Sequence, residues 1–514
     1  MVSQLNYSQS SEKFDQEKAE ISIVLDNVVP ELEDDKGSKD HAYRANLKEA
    51  RDEALVLLSS EGRPSHFIDS LVLDKQTISF TSVFGLSKEA DLTGDDYSLL
   101  GSIVYIAQLV MQPLSAYLLV KFRLSTYIPF IVTAWGYRSL VLLGTFEASV
   151  QASFILIVQI WYRRHEQGLR LACLYSATGW INVFGPLIMF GIGHINSDVV
   201  YPYQIVSILL GGVTFLVGLL AFAIFPDNAV HCKFLTTKEK IMAVERLRAN
   251  QQGLETKSFK IKQVLEMVVD IKSWCWIGLS FVTSIASGGF NTFSPLILKG
   301  FGFSGDKVML LLIPYGVLQI IFIWTGFWLN RRFSLKSIVI LGGLLPCIAA
   351  AAVLLVAGRS SEDQPLLLFA YYLMSVFALV NPTVVNWQAS NVAGHTKKSA
   401  TTASMLMGSF AGNIVGPLLF TPKDKPYYHR ASYSLSSAAS GIIAMLICYS
   451  YLNRVNQRRR IKKGKAACIV DYSMLSATGA EERRLQESAV VFEMGSRAFD
   501  DLTDLENEEF IYVY

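Results

Sequence analysis

Nine runs of 21–25 residues in this chain contain no Asp, Glu, Lys or Arg: 98–120, 171–194, 202–225, 274–298, 308–329, 337–357, 364–388, 399–420 and 431–452. A hydrocarbon core about 30 Å thick takes about 20 apolar residues per helical crossing. Backbone groups in lipid find no water, so each run has to be a helix that satisfies its own hydrogen bonds. A tenth span, 139–162, carries one acid, Glu147. Charge amounts to only 18% of the 514 residues, against about 25% in soluble domains. It is crowded into 1–97, 226–273 and 454–514. That distribution excludes a soluble enzyme, a disordered chain and a fibre, and it predicts an all-α membrane protein.

Two further segments are poor crossings alone. Residues 66–87 include Asp69, Asp74 and Lys75, and residues 127–137 make a helix only about 16 Å long. Alternate loops are basic: Lys121 and Arg123; Arg163, Arg164 and Arg170; Arg331, Arg332 and Lys336; Lys397 and Lys398; and the flank from Arg454 to Lys463. The positive-inside rule places these loops and both termini in the cytoplasm, with Lys423 to Arg430 as an exception. Keeping both short segments as tilted or bilayer-thinning helices preserves that parity. The expected organisation is a cytoplasmic acidic tail (1–65, net charge −6), an incomplete N-terminal bundle (66–225), a cytoplasmic connector (226–273), a six-helix C-terminal bundle (274–453) and a cytoplasmic tail (454–514). The Gly326-x-x-x-Asn330-Arg331-Arg332 stretch echoes Ala116-x-x-x-Val120-Lys121-Phe122-Arg123, which points to two related halves. Parallel halves with a site between them near the midplane are a transporter design.

The residues that could carry chemistry are few. Glu147 sits where an ionisable group costs about 3 kcal/mol or more unless paired or wetted, so it either takes up and releases a proton or bonds a neighbouring backbone. Arg138 could face an anion or end a helix. The stretch Gly288-Gly289-Phe290-Asn291-Thr292-Phe293-Ser294-Pro295 is expected to interrupt its helix and to gate, with Asn291 facing substrate. Asn381, Asn386, Trp387 and Gln388 offer polar groups and a stacking surface, or else join helices. Gly408, Gly412 and Gly416, four residues apart, allow close helix packing. The six cysteines form no CxxC pair and the seven histidines no HxxxH pair, so neither a metal nor a cofactor is expected. With no GxxxxGK[ST] loop, energy has to come from an ion gradient. No nucleophile–base set lies in the spans, so an enzyme is not expected.

Several stretches together carry a family likeness: Leu73-Asp74-Lys75-Gln76-Thr77, Tyr97-Ser98-Leu99-Leu100-Gly101-Ser102, Leu143-Gly144-Thr145-Phe146-Glu147-Ala148, Trp161-Tyr162-Arg163-Arg164-His165-Glu166, Asn391-Val392-Ala393-Gly394-His395-Thr396-Lys397, and the tail Phe499-Asp500-Asp501-Leu502-Thr503-Asp504 with Asn507-Glu508-Glu509-Phe510-Ile511-Tyr512-Val513-Tyr514. In these the chain resembles the fungal allantoate permease branch of the major facilitator superfamily, within its anion:cation symporter group. The resemblance implies twelve helices in two six-helix halves and a multi-pass protein of the plasma membrane. It implies proton-coupled uptake of a small organic anion of the allantoate, ureidosuccinate, nicotinate, pantothenate or dipeptide type, by a monomer that binds no nucleic acid. It also implies roles for Glu147 and Asp74 in proton coupling, and for Lys75 toward the substrate. Two departures from the family pattern stand out. Pro64-Ser65-His66-Phe67-Ile68-Asp69-Ser70 replaces an apolar half-helix, and Trp135-Gly136 is followed almost at once by Tyr137-Arg138-Ser139, so helices 1 and 3 are expected to be short. The alternatives to a carrier are a non-transporting nutrient sensor or an inactive truncated product. The acidic, Tyr-rich tail suggests a trafficking handle.

Overall fold

A computed structural model of the chain describes residues 96–135, 140–193, 212, 214–222, 259–303, 305–333, 336–358, 362–419, 432–462, 501–507, 510 and 512–513. All regular structure among them is helical. In chain order the helices are α1 Asp96–Lys121, α2 Leu124–Trp135, α3 Leu140–Trp161, α4 Arg164–Gly193, α5 Ile261–Val269, α6 Ile271–Gly300, α7 Gly305–Phe333, α8 Lys336–Val356, α9 Gln364–Leu373, α10 Val380–Ser390, α11 His395–Leu418 and α12 Ser432–Lys462. Residues 214–222 are helical too. The charge-free runs therefore mark the helices, because only apolar segments lose little on leaving water. The expected first span, 66–87, lies outside the described residues.

The expected shortening of the third span is seen directly. At 12 residues α2 reaches about 18 Å, well short of a bilayer core. The long α9–α10 span keeps its course through a 3₁₀ segment, Met374–Leu379, between its two α-helical parts. The connector contributes α5, which meets α6 at a 73° bend. Asp270 makes that corner, its side chain accepting the Lys272 backbone N–H at 3.3 Å as the cap of α6.

The expectation of a broken helix at Gly288, Gly289 and Pro295 is corrected: α6 runs unbroken for 30 residues from Ile271 to Gly300. The glycines serve packing instead. A Cβ on Gly288 would fall 2.6 Å from Asn413 Oδ1 and 2.9 Å from Asn413 Cα, and one on Gly416 would fall 2.7 Å from the Gly289 nitrogen. Proline inside a membrane helix loses one backbone bond, and tight neighbours hold the helix together across it. The glycine stripe of α11 behaves as expected. Gly408, Gly412 and Gly416 press against the carbonyls of Ile277, Phe281 and Ile285, one turn of α6 after another.

The front group (α1–α4) meets the back group (α6–α12) mainly where α1 packs on α11 and α4 packs on α7, with smaller contacts of α4 and α3 on α10 and of α3 on α11. The α1–α11 pair is bonded near both ends, by Ser102 Oγ donating to Ile414 O at 3.4 Å and Ser399 Oγ donating to Ala116 O at 3.1 Å. In the other pair Gly179 and Gly316 face each other. A Cβ on Gly316 would fall 2.8 Å from the Gly179 carbonyl oxygen, and one on Gly179 3.0 Å from that of Gly316. The ends of α1, α3, α7, α10 and α12 and the starts of α2, α4, α6, α8 and α11 share one end of the bundle, which is also where residues 501–513 dock. We refer to it as the tail end.

Gly412→Leu should lower thermal stability by about 1–3 kcal/mol through overpacking against α6. Gly278→Ala should be neutral or slightly stabilising, since a Cβ there meets nothing within 4 Å. Melting of the purified protein, followed by tryptophan fluorescence, reads both. Equal melting temperatures for the two variants would refute the close-contact role of Gly412.

Candidate functional site

Polar groups deep in the bundle are sparse and specifically placed. Glu147 lies in α3 and is 7% exposed. One turn earlier, a Cβ on Gly144 would fall 2.8 Å from the Ala107 Cβ, so α3 and α1 are in close contact there. On α1, Gln108 and Gln112 stand one turn apart and fully buried, and neither side-chain amide has a hydrogen-bond partner among the described residues. A buried amide left unbonded costs about 1–3 kcal/mol, so this stripe calls for water or solute beside it. Across the α4–α7 contact, Asn182 Nδ2 donates to Gln319 Oε1 at 2.7 Å, a buried bond between the two groups of helices.

The back group adds an aromatic cluster. Phe290 (α6), Tyr315 (α7) and Tyr371 (α9) have ring centroids 5.2–5.8 Å apart. The hydroxyls of Tyr371 and Ser294 share a hydrogen bond. Tyr315 immediately precedes Gly316, the residue against which α4 packs. The front group thus buries amides and a carboxyl, and the back group a cluster of aromatic rings, residue types of the kind that line sites for small solutes.

A second, much more polar centre closes the tail end. Lys397 Nζ lies 2.7 Å from Glu266 Oε1, 3.1 Å from Asp270 Oδ2 and 3.0 Å from Asp504 Oδ1. Lys272 Nζ lies 2.6 Å from Asp504 Oδ2 and also pairs with Asp270. Both lysines and both aspartates are fully buried. Two asparagines then grip the backbone of the tail. Asn391 accepts the Val513 N–H at 2.7 Å and donates to its carbonyl at 2.9 Å, while Asn456 accepts the Tyr512 N–H at 3.2 Å and donates to its carbonyl at 2.9 Å. The Tyr512 hydroxyl donates to Asp504 Oδ2 at 2.8 Å. Thr503 and Glu506 exchange bonds as in a capping box: the Thr503 N–H donates to the Glu506 carboxylate at 3.1 Å and the Glu506 N–H to the Thr503 hydroxyl at 3.2 Å.

Among the residues singled out from sequence, Glu147 is buried inside α3 as expected. Asn291 is half-buried beside Phe290, and Asn381 is half-buried in α10. Trp387 and Gln388 belong to the tail end. The Trp387 indole N–H donates to the Val513 carbonyl at 3.0 Å. Gln388 Nε2 donates to Thr402 Oγ1 at 3.3 Å, and its Oε1 lies 3.5 Å from Gln159 Nε2 of α3. Asp74, Lys75 and Arg138 lie outside the described residues. Sequence reading missed Gln108, Gln112 and the Asn182–Gln319 pair. Their signal was present, since carboxamides inside charge-free spans are costly there.

Two groups of membrane-length helices, joined face to face with buried polar groups between them, make a membrane carrier of the two-bundle kind. A comparison with family profiles gives the same answer: the profile of the Major Facilitator Superfamily matches residues 71–417, and the chain belongs to that family. It is similar to fungal transporters, with 29% identity to the thiamine pathway transporter THI73 of Saccharomyces cerevisiae over 86% of this chain and 82% of that one. The allantoate permease of the same yeast is 25% identical, again over 86% and 82%. An uncharacterized transporter of Schizosaccharomyces pombe, C757.13, is 30% identical over 86% and 83%. Among solved structures, the proton:xylose symporter XylE has a TM-score of 0.55 at 13% identity, covering 75% of this chain and 94% of that one. The transporter FucP has 0.53 at 16%, covering 75% and 98%. At such identities the structures bear on the fold, which is the major facilitator fold.

Burial pushes the Asp504 carboxyl upward, but the ammoniums of Lys272 and Lys397 more than offset this and hold it well below the usual carboxylate range. Asp501 is also lowered: burial raises it, while Lys260 at 2.8 Å and the His395 backbone N–H at 2.7 Å lower it further. A depressed folded-state value means the stabilisation is complete above the ordinary carboxylate value and is lost only as pH falls through the depressed one. Glu266 and Asp270 share Lys397 with Asp504, the Tyr512 hydroxyl donates to Asp504, and Lys398 faces Asp501. Neither carboxyl should therefore make tail docking depend on pH between about pH 5 and about pH 8; any change in that range falls to Lys398, which burial lowers to about 7, and to His395, which burial lowers to about 4. Asp504→Asn, which leaves two buried ammoniums short of a counter-charge, should speed proteolytic release of a C-terminal tag at least about tenfold.

Proposed function

We propose that this protein is a proton-coupled importer of a small organic anion, working in the plasma membrane with its tail end in the cytoplasm. The observation that carries this reading is the buried carboxyl of Glu147 in α3, a helix packed on the α1 that carries the unbonded amides of Gln108 and Gln112. An acid at that depth, in a bundle with no nucleotide-binding loop, gives a driving ion a place to bind. The likeness to an allantoate permease supports an anionic substrate, and the likeness to a symporter fits coupling to protons. The ring cluster of Phe290, Tyr315 and Tyr371, with Asn291 beside it, favours the nicotinate type among the candidates, because a planar ring can stack there. The basic loops at the tail end support its cytoplasmic placement.

In this mechanism substrate and proton enter between the helix groups from the far side, Glu147 takes the proton, and the two halves rock about the bound pair. With the proton bound the carboxyl is neutral, which removes the main cost of carrying it through a closed, dry state. Release follows when the tail end parts and water reaches the acid.

Uptake of labelled allantoate, nicotinate, pantothenate, a dipeptide and thiamine by cells lacking their own carriers should be severalfold faster at about pH 5 than at about pH 7.5 for one of the anions. Glu147→Gln should abolish accumulation against a gradient while leaving exchange of substrate across the membrane. Uptake indifferent to pH and to Glu147→Gln would overturn proton coupling. Uptake of thiamine alone would overturn the anion.

A further inference from the structure

Residues 501–513 bind the helices as a peptide ligand binds a cleft. Most of its contacts run to the back group: Asn391 and Asn456 hold two successive backbone units, Lys272 and Lys397 share the Asp504 carboxylate, and Trp387 donates to the Val513 carbonyl. Lys260, Gln263 and Glu266 of the connector hold Asp501 and Thr503. The bonds to backbone fix the position of the strand, and the buried charges fix its register. The tail also reaches the front group. The guanidinium of Arg164, the first residue of α4 and 3% exposed, lies over the Phe510 ring, 4.2 Å from its centroid. Phe510 itself is 1% exposed and meets Tyr512 edge-on at 5.3 Å.

We propose that this segment is a clasp: a cleft on the back group holds the chain's own C-terminal peptide, and Phe510 fastens it to Arg164 of the front group, keeping the tail end of the carrier shut. Other contacts join the halves at that end as well: Ser399 Oγ donates to Ala116 O at 3.1 Å, a Cβ on Gly168 would fall a close 3.2 Å from the Asn386 amide nitrogen, and Gln159 and Gln388 stand at 3.5 Å, the limit of a hydrogen bond. A cation over an aromatic face is strongest when desolvated, as here, and is lost once water enters. Parting the halves at this end leaves the peptide on the back group and breaks the Arg164–Phe510 contact. The geometry therefore assigns the tail a part in setting how often the carrier opens, in place of a handle for trafficking.

The consequence for transport rests on the carrier reading above, so the test reads opening without any substrate. Spin labels carried by genetically encoded amino acids at the exposed positions 123 and 458, one on each half at the tail end, report the separation of the halves in the purified full-length protein. The unsubstituted protein should give mainly one short distance. Phe510→Leu, which keeps apolar volume but removes the ring face, and Arg164→Gln should each raise the share of a longer distance by about threefold or more. Phe510→Tyr should match the unsubstituted protein. Phe510→Leu or Arg164→Gln protein that melts normally and keeps the original distances would overturn the clasp. A lowered melting temperature with unchanged distances would also overturn it, since a part that merely fills space behaves that way. A shift in distances without uptake of any solute would sustain the clasp and count only against the importer.

Discussion

A peptide group without a hydrogen-bond partner in hydrocarbon costs several kcal/mol, and everything else in this bundle follows from that penalty. It turns each charge-free run into a helix and leaves only side chains to hold helices together. With no hydrophobic gain from leaving lipid, contact has to come from close backbone approach. The glycines provide it at several places, two of which bear on how the groups are held. Along α11 they admit three successive carbonyls of α6, and at Gly179 and Gly316 they bring α4 and α7 together. The first contact is internal to the back group, whereas the second joins the two groups.

Charge is distributed by the same penalty. Among the described residues the membrane spans bury one acid, Glu147, and a few amides, whereas the tail end buries Lys272, Lys397, Asp270 and Asp504 together. A buried ion pair adds little net stability because desolvation offsets most of the attraction, yet removing one partner is expensive. Asp504 is therefore better understood as a specifier of where the tail sits than as a source of stability. Two ammoniums within 3.0 Å, a tyrosine hydroxyl and the Ala393 N–H at 3.4 Å leave its carboxylate a single fitting position.

The spans, their order and the short third helix were legible in the sequence because hydropathy is a local property of about twenty residues. The reading failed where the answer depended on partners far away in the chain. Gly288, Gly289 and Pro295 suggest a break when read alone, but α11, more than a hundred residues later, packs on the glycines and keeps α6 continuous. Trp387 and Gln388 leave two readings open in the sequence, a binding surface or a joint between helices, because the partners that bear on the choice, Val513 and Gln159, are far away in the chain. The grip of Asn391 on Val513 spans 122 positions, and no local pattern encodes it. Only the Thr503-x-x-Glu506 box was written locally, and it appeared in the tail as a turn without a helix to follow. Glu147 was found because one acid in an apolar run is conspicuous. Gln108 and Gln112 were passed over because amides there are not.

The contacts between the groups also differ in what they would tolerate during movement. Gly179 and Gly316 meet backbone to backbone, and sliding there would drive carbonyls into one another. The α1–α11 seam is bonded at both ends, at Ser102 and at Ser399, so it can tilt more readily than separate. At the tail end, by contrast, Gln159, Gln388 and Arg164 are polar groups that water can satisfy once they are pulled apart. A motion that opens this end therefore pivots on the glycine contact and the Ser102 end of the α1–α11 seam, exchanging side-chain bonds, that of Ser399 to Ala116 among them, for hydration while the packed backbone stays in place.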